Sequence, residues 1–167
     1  MRSGKGSIKR PMAKKAVRVF LDSNVILSGL ISDKGAPRII LDLLTLKLPF
    51  LVGSTGRFNL REIERTLKKR MPGLLPLYRR YLPLLNLKII SLPSPQEIGV
   101  FAQTIADKDL PVLASAIKDK ADFLVTGDKR HFQRLKGGKN YPLQIATPAE
   151  FVDRLLPEIL QEMGKMD

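Results

Sequence analysis

The chain has 167 residues, 44% of them hydrophobic, which suits one domain with one sizeable core. It has no Cys and a single His, so disulfides, Cys-based zinc sites and His-rich metal sites are excluded, and any metal must sit among oxygen ligands, which favours Mg²⁺ or Mn²⁺. The formal net charge of +13 suits a polyanionic partner, nucleic acid being the usual one.

Residues 1–15 are basic and lack an apolar core segment, so they read as a disordered tail rather than a secretory signal, ahead of an organised domain over 16–167. No run approaches the roughly 18 apolar residues that span a bilayer, so the expectation is a cytoplasmic protein without a membrane partner. Val17 to Leu21 is a short β-branched and aromatic run that predicts a buried strand ending in Asp22. Asp22-Ser23-Asn24 is rich in capping residues and leads into a helix over Val25 to Ile31. Asp33 to Pro37 has turn chemistry, and Arg38 to Leu46 predicts a second helix.

Pro49 to Val52 predicts a second strand, closed by Gly53-Ser54. Phe58 to Arg70 predicts a helix with acids before bases, an order that suits the helix dipole. Leu74 to Leu87 is Leu-rich with prolines and predicts short helices; its apolar surplus suggests a homodimer. Lys88 to Leu92 predicts a third strand, and Gln96 to Thr104 a helix. Pro111 to Lys118 predicts a small-residue helix with proline at its start. Asp122 to Thr126 is a fourth strand, followed by Gly127-Asp128, and Leu143 to Ala146 a fifth. Thr147, with Glu150 in the capping-box position, starts a last helix through about Leu160. Short strands, apolar on both faces and alternating with helices, mean an α/β fold with a mostly parallel central sheet of about five strands.

In such sheets functional groups gather at the carboxyl ends of the strands. Asp22 and Asp128 both lie there, half desolvated and in need of a cation or of helix N-terminal donors. Each alone serves equally well as a cap or turn residue; the pair at equivalent strand ends points to a site. Ser23, Asn24 and Thr126 are placed to hydrogen-bond such carboxylates. A third acid is Asp107 or Asp109, before the small helix, and a fourth is Glu62 or Glu64. The apolar stripe Leu60, Ile63 and Leu67 lies nearer Glu64, so periodicity favours Glu64 slightly. His131, in a polar Asp-Lys-Arg-His-Phe segment, reads as a surface or capping residue rather than a general base.

The stretches VFLDSNVILSGLIS, GAPRIILDLL, LREIERTL, DKDLPVLASA, DFLVTGDKRHF and IATPAEF together resemble the PIN domain, in the branch that includes toxins of toxin–antitoxin pairs. The resemblance runs from about Val17 to Phe151 and implies a three-layer α/β/α sandwich. Its Asp-Ser/Thr-Asn triplet is matched by Asp22-Ser23-Asn24. Its Glu-Leu/Ile-x-x-x-Leu helix is matched by Glu62, Ile63 and Leu67. Its Asp-x-Pro-x-Leu-x-x-Ala pattern is matched by Asp109, Pro111, Leu113 and Ala116, and its Thr-Gly-Asp by Asp128. The resemblance therefore prefers Glu62 over Glu64. It implies that Asp22, Glu62, Asp109 and Asp128 hold one or two Mg²⁺ or Mn²⁺ ions and hydrolyse RNA to a 5′-phosphate and a 3′-hydroxyl, with an antitoxin as protein partner. The family often has further acids beside the third one, where this chain has Lys108 and Leu110. Lys34, Arg38, Arg57, Lys129 and Arg130, near the proposed strand ends, are the expected phosphate contacts. A phosphoacceptor receiver domain is disfavoured, because strand three ends in Leu92-Pro93 rather than Asp. A non-catalytic nucleic-acid-binding adaptor with the same fold is the alternative.

Overall fold

A computed structural model describes residues 16–135 and 143–165. The predicted tail, residues 1–15, lies outside the described residues. Strand β1 (Val17–Leu21) leads through Asp22 into α1 (Ser23–Ile31), then α2 (Ala36–Thr45), β2 (Leu51–Gly56) and α3 (Arg57–Arg70). A 3-10 turn (72–74), α4 (Leu75–Tyr81) and a second 3-10 turn (82–85) connect to β3 (Lys88–Ile90) and α5 (Pro95–Gly99). A 3-10 turn at 107–109 precedes α6 (Leu110–Lys118), β4 (Phe123–Val125), a 3-10 segment (129–135), β5 (Gln144–Ala146) and α7 (Pro148–Gly164).

The five strands form one sheet in the order β3-β2-β1-β4-β5, and every pair is parallel. Alternation along β1 sends Val19 and Leu21 to one face and Phe20 to the other, all fully buried. One face packs on α1, α2, α3 and α7 through residues such as Ile26, Leu41, Ile63 and Phe151. The other packs on α6 and the 129–135 segment through Leu113, Leu124 and Phe132. Two helical layers around a parallel sheet make the expected α/β/α sandwich. Gly29 of α1 is required by this packing: a Cβ there would stand 2.4 Å from Leu41 of α2.

Among the boundaries that differ from the sequence reading, two have a clear physical cause. Gly53 and Ser54 do not close β2 but continue it, because this central strand is buried and its hydroxyls find partners: Ser54 donates to Asp119 and Thr55 to the Leu21 carbonyl, 2.7 Å away. The helix expected over Gln96 to Thr104 stops at Gly99, and Gln103 takes a left-handed φ of 67°, which no helix continues. In the Leu-rich connection Tyr78 and Leu85 are buried and Leu74, Leu75, Leu82 and Leu87 pack on the core, while Leu77 and Leu84 are exposed. Among the described residues no helix is long and apolar enough to cross a membrane.

Candidate functional site

The chain builds outward from β1 to β3 on one side, then crosses to add β4 and β5 on the other. The switch falls between β1 and β4, where adjacent connections leave in opposite directions and open a crevice at the carboxyl ends of the strands. The Asp22 amide donates to the Val125 carbonyl at 3.0 Å, so the residues that follow β1 and β4 are held side by side there.

A cleft of about 230 Å³ opens at this point. Asp22, Glu62, Asp109 and Asp128 line it together with Ser23, Asn24, Phe58, Lys108 and His131. Asp22 is buried at the N-cap of α1. Its Oδ1 accepts from the Ser23 amide (2.8 Å) and Asn59 Nδ2 (3.1 Å), and its Oδ2 accepts from the Thr126 hydroxyl (2.8 Å). Its carboxyl is raised to about 6, mainly by burial, with Thr126 and the Ser23 amide opposing the shift and the charges of Glu62 and Asp128 adding to it. Glu62 accepts from the Ser23 hydroxyl at 2.6 Å. Asp128 accepts from Asn24 Nδ2 at 3.0 Å, and Asn24 Oδ1 accepts from the Gly127 amide, so Asn24 fixes the turn that presents Asp128.

Asp109 stands at the N-cap of α6 but makes no side-chain cap bond. Its Oδ2 is buried without a hydrogen bond, 3.6 Å from His131 Nδ1. Desolvation raises its carboxyl, while His131 and Lys108 oppose that shift. Capping therefore does not account for Asp109: the helix terminus leaves a buried carboxylate oxygen at the cleft. His131, which the sequence suggested to be a surface or capping residue, is instead turned onto this carboxylate by the 3-10 segment.

Glu64 pairs with Arg79 of α4 at 3.0 Å, away from the cleft, and Asp107 is exposed outside it. Of the cations expected to meet phosphate, Lys34, Arg57 and Arg130 are exposed. Lys129 is held by both oxygens of Glu150 (2.8 and 2.9 Å), which, with the Thr147 backbone amide, holds that carboxyl down at about 2. Arg38 is engaged by Asp42, by the Gly29 carbonyl and by the Tyr81 ring.

Asn59 was not legible as a site residue. It is fully buried in the first turn of α3, donates to Asp22 and to Ser23 Oγ (2.9 Å), and its own Oδ1 accepts from the Gly56 amide. Gly56 must be glycine here, because a Cβ would stand 2.9 Å from Asn59 Oδ1 and 3.2 Å from Ser115 Oγ. The one available signal is a polar residue flanked by the apolar stripe of an otherwise amphipathic helix. Asn59→Ala leaves Asp22 and the Gly56 amide each short of a partner and is expected to cost about 1–3 kcal/mol in urea unfolding.

Among the described residues no three acids are drawn together into a finished coordination shell. Glu62 and Asp128 instead direct oxygens onto Ser23 and Asn24, as mutually repelling carboxylates do when neutral donors are near. The donor set still fits a hard cation: oxygen ligands from four separate segments, one buried oxygen without a partner, and room for the waters that Mg²⁺ retains.

A family model for the PIN domain matches residues 18–130. The chain belongs to the PIN domain family. Solved structures similar to this PIN domain include VapBC-1 from nontypeable Haemophilus influenzae, with a TM-score of 0.58 and 19% identity over 80% of this chain and 99% of that one. Another is VapBC2 from Rickettsia felis bound to a DNA fragment from their promoter, with a TM-score of 0.54 and 20% identity over 78% of this chain and 98% of that one. At these identities they show the fold. Comparison with curated protein sequences gives no match.

Proposed function

We propose that this PIN domain is a divalent-metal-dependent endoribonuclease, the toxin of a toxin–antitoxin pair, acting in the cytoplasm. The observation that carries the reading is the convergence of Asp22, Glu62, Asp109 and Asp128 on one cleft at the switch point of the sheet. Such a set suits Mg²⁺ or Mn²⁺, which when bound would activate water and stabilise the leaving oxygen of a phosphodiester. Asp22 is the fixed ligand in this scheme, held by three donors. Asp109 offers an oxygen without a hydrogen bond, and Glu62 and Asp128, on the same cleft, would complete the set. Asn24, Ser23 and Thr126 aim the carboxylates, and Lys108 at the cleft wall is placed to meet a phosphate. His131 Nδ1 stands 3.6 Å from that Asp109 oxygen, beyond hydrogen-bond distance.

An antitoxin partner is supported by the VapBC complexes among the similar structures. The homodimer expected from the Leu-rich segment is part of the same proposal, with Leu77 and Leu84 as its exposed apolar residues. A non-catalytic nucleic-acid-binding module is the second reading, favoured by the bonds that tie Glu62 and Asp128 to Ser23 and Asn24.

The test is cleavage of single-stranded RNA by wild type and Asp22→Asn in Mg²⁺, in Mn²⁺ and in EDTA. Cleavage is expected only with wild type and a divalent cation. Activity that survives chelation or the substitution overturns the metal mechanism. RNA binding without cleavage in either metal selects the adaptor.

A further inference from the structure

The net charge of +13 is not spread over the molecule. Residues 1–15 carry six Lys/Arg and no acid, and residues 57–81 carry eight Lys/Arg against two Glu. All remaining positions together hold fifteen bases and fourteen acids, so the body outside these two stretches is close to neutral. General solvation of a basic protein would not concentrate the excess in this way.

Within 57–81 the eight cations, Arg57, Arg61, Arg65, Lys68, Lys69, Arg70, Arg79 and Arg80, are all exposed. Arg79 is held by an acid partner, Glu64. On α3 the residues Phe58, Glu62 and Thr66, four apart, form the row that lines the acidic cleft. Arg61, Arg65 and Lys69 each lie three positions further on, and on a helix that makes them the adjoining row. With Arg57 they run the length of the helix, one cation per rise of about 6 Å, the order of one nucleotide step in an extended strand. Helix-dipole compensation accounts for Lys68 to Arg70 in the last turn but not for Arg57 in the first, where the dipole opposes a cation.

We infer that this row is a track for the backbone of single-stranded RNA, leading along α3 to the acidic cleft. The inference rests on the nuclease reading for the identity of the strand. Four carboxylates repel a polyanion, so a strand that must deliver one phosphodiester among them needs cations flanking the entry. The row adjoining Phe58, Glu62 and Thr66 supplies them. An acidic protein segment would bind the same charges but has no group to place in the cleft.

The test measures fluorescence anisotropy of a labelled oligouridylate on the full chain in EDTA, across a KCl series, so that cleavage does not enter. Arg61→Gln/Arg65→Gln/Lys69→Gln is compared with wild type and with an equal-charge control, Lys47→Gln/Lys120→Gln/Lys165→Gln. The slope of log K against log salt is expected to fall by about 2 in the row variant, since each lost contact to a single strand removes about 0.7, and to stay at the wild-type value in the control. Circular dichroism and melting temperature check that both variants fold; if the triple does not, the single Arg65→Gln variant is expected to lower the slope by about 0.7. Equal slopes for row variant and wild type overturn the track, as does a control that falls as far. Polyglutamate that displaces the RNA at equal charge concentration assigns the row to an acidic protein and also overturns it. Loss of slope without cleavage in any metal keeps the track and defeats only the nuclease reading.

Discussion

Asp22→Asn is expected to abolish cleavage and, in the metal-free protein, to raise stability. Cleavage should fall by at least about 100-fold, the upper end of what losing even an outer partner of a metal ligand costs. The stability change follows from the Asp22 carboxyl being raised from 3.8 to about 6 by burial. Between these values the folded state binds a proton that the unfolded state has released. Metal-free wild type is therefore expected to lose stability as pH rises from about 4 to about 6, by roughly 3 kcal/mol, and to stay at the lower level above that. Asp109 shifts in the same direction and deepens the slope. The amide that replaces the carboxylate carries no charge, so melts of Asp22→Asn in EDTA at pH 7.5 should show a gain of about 1–3 kcal/mol, reduced by the hydrogen bond that Thr126 can no longer donate to a carboxylate. Mg²⁺ should raise the wild-type melting temperature and leave that of Asp22→Asn unmoved. A variant markedly less stable than wild type in EDTA would mean that the carboxylate serves the fold instead.

Asp119 is expected to behave in the opposite way. Its side chain is as deeply buried as that of Asp22, but it sits at the amino ends of the strands, across the sheet from the cleft. Arg18 bonds it at 2.8 Å, Ser54 donates to it from β2, and Lys88 approaches to 3.5 Å at the start of β3. Asp119→Ala removes the carboxylate partner of the Arg18 guanidinium, which is one-third exposed and keeps only the residue-119 carbonyl, and takes the acceptor from the buried Ser54 hydroxyl; it is expected to cost about 1–3 kcal/mol in urea unfolding. Cleavage per folded molecule should be unchanged. One buried acid thus ties the base of the sheet together at a gain in stability, and the other is held ionised at a cost. Comparison of the two variants separates a structural carboxylate from a functional one more sharply than either variant alone.

Much of the fold could be read from the chain because strands buried on both faces leave continuous apolar runs, and Val17 to Leu21 and Phe123 to Val125 are such runs. The end of β2 could not be read this way. Gly53, Ser54 and Thr55 have turn composition, and it is pairing with β1 and β3, with Asp119 and the Leu21 carbonyl as hydroxyl partners, that makes them strand residues. Asp22 and Asp128 were visible because each closely follows an apolar run. Glu62 and Glu64 show the limit of the helical wheel: it detects the stripe that meets the core, Leu60, Ile63 and Leu67, but not a second flank that faces a cleft. Glu62 lies on that second flank with Phe58 and Thr66, whereas Glu64 finds Arg79 on a helix whose position the sequence does not disclose. Asn59 and His131 gain their roles from chain segments far away, Asp22 in the first case and Asp109 in the second.

Anomalous diffraction from crystals soaked in Mn²⁺ addresses the shared cation site without reference to activity. A peak within ligating distance of Asp22 and at least one of Glu62, Asp109 and Asp128 is the predicted result. Crystals with no peak in the cleft at saturating Mn²⁺, or with the ion at Asp119 instead, would contradict it.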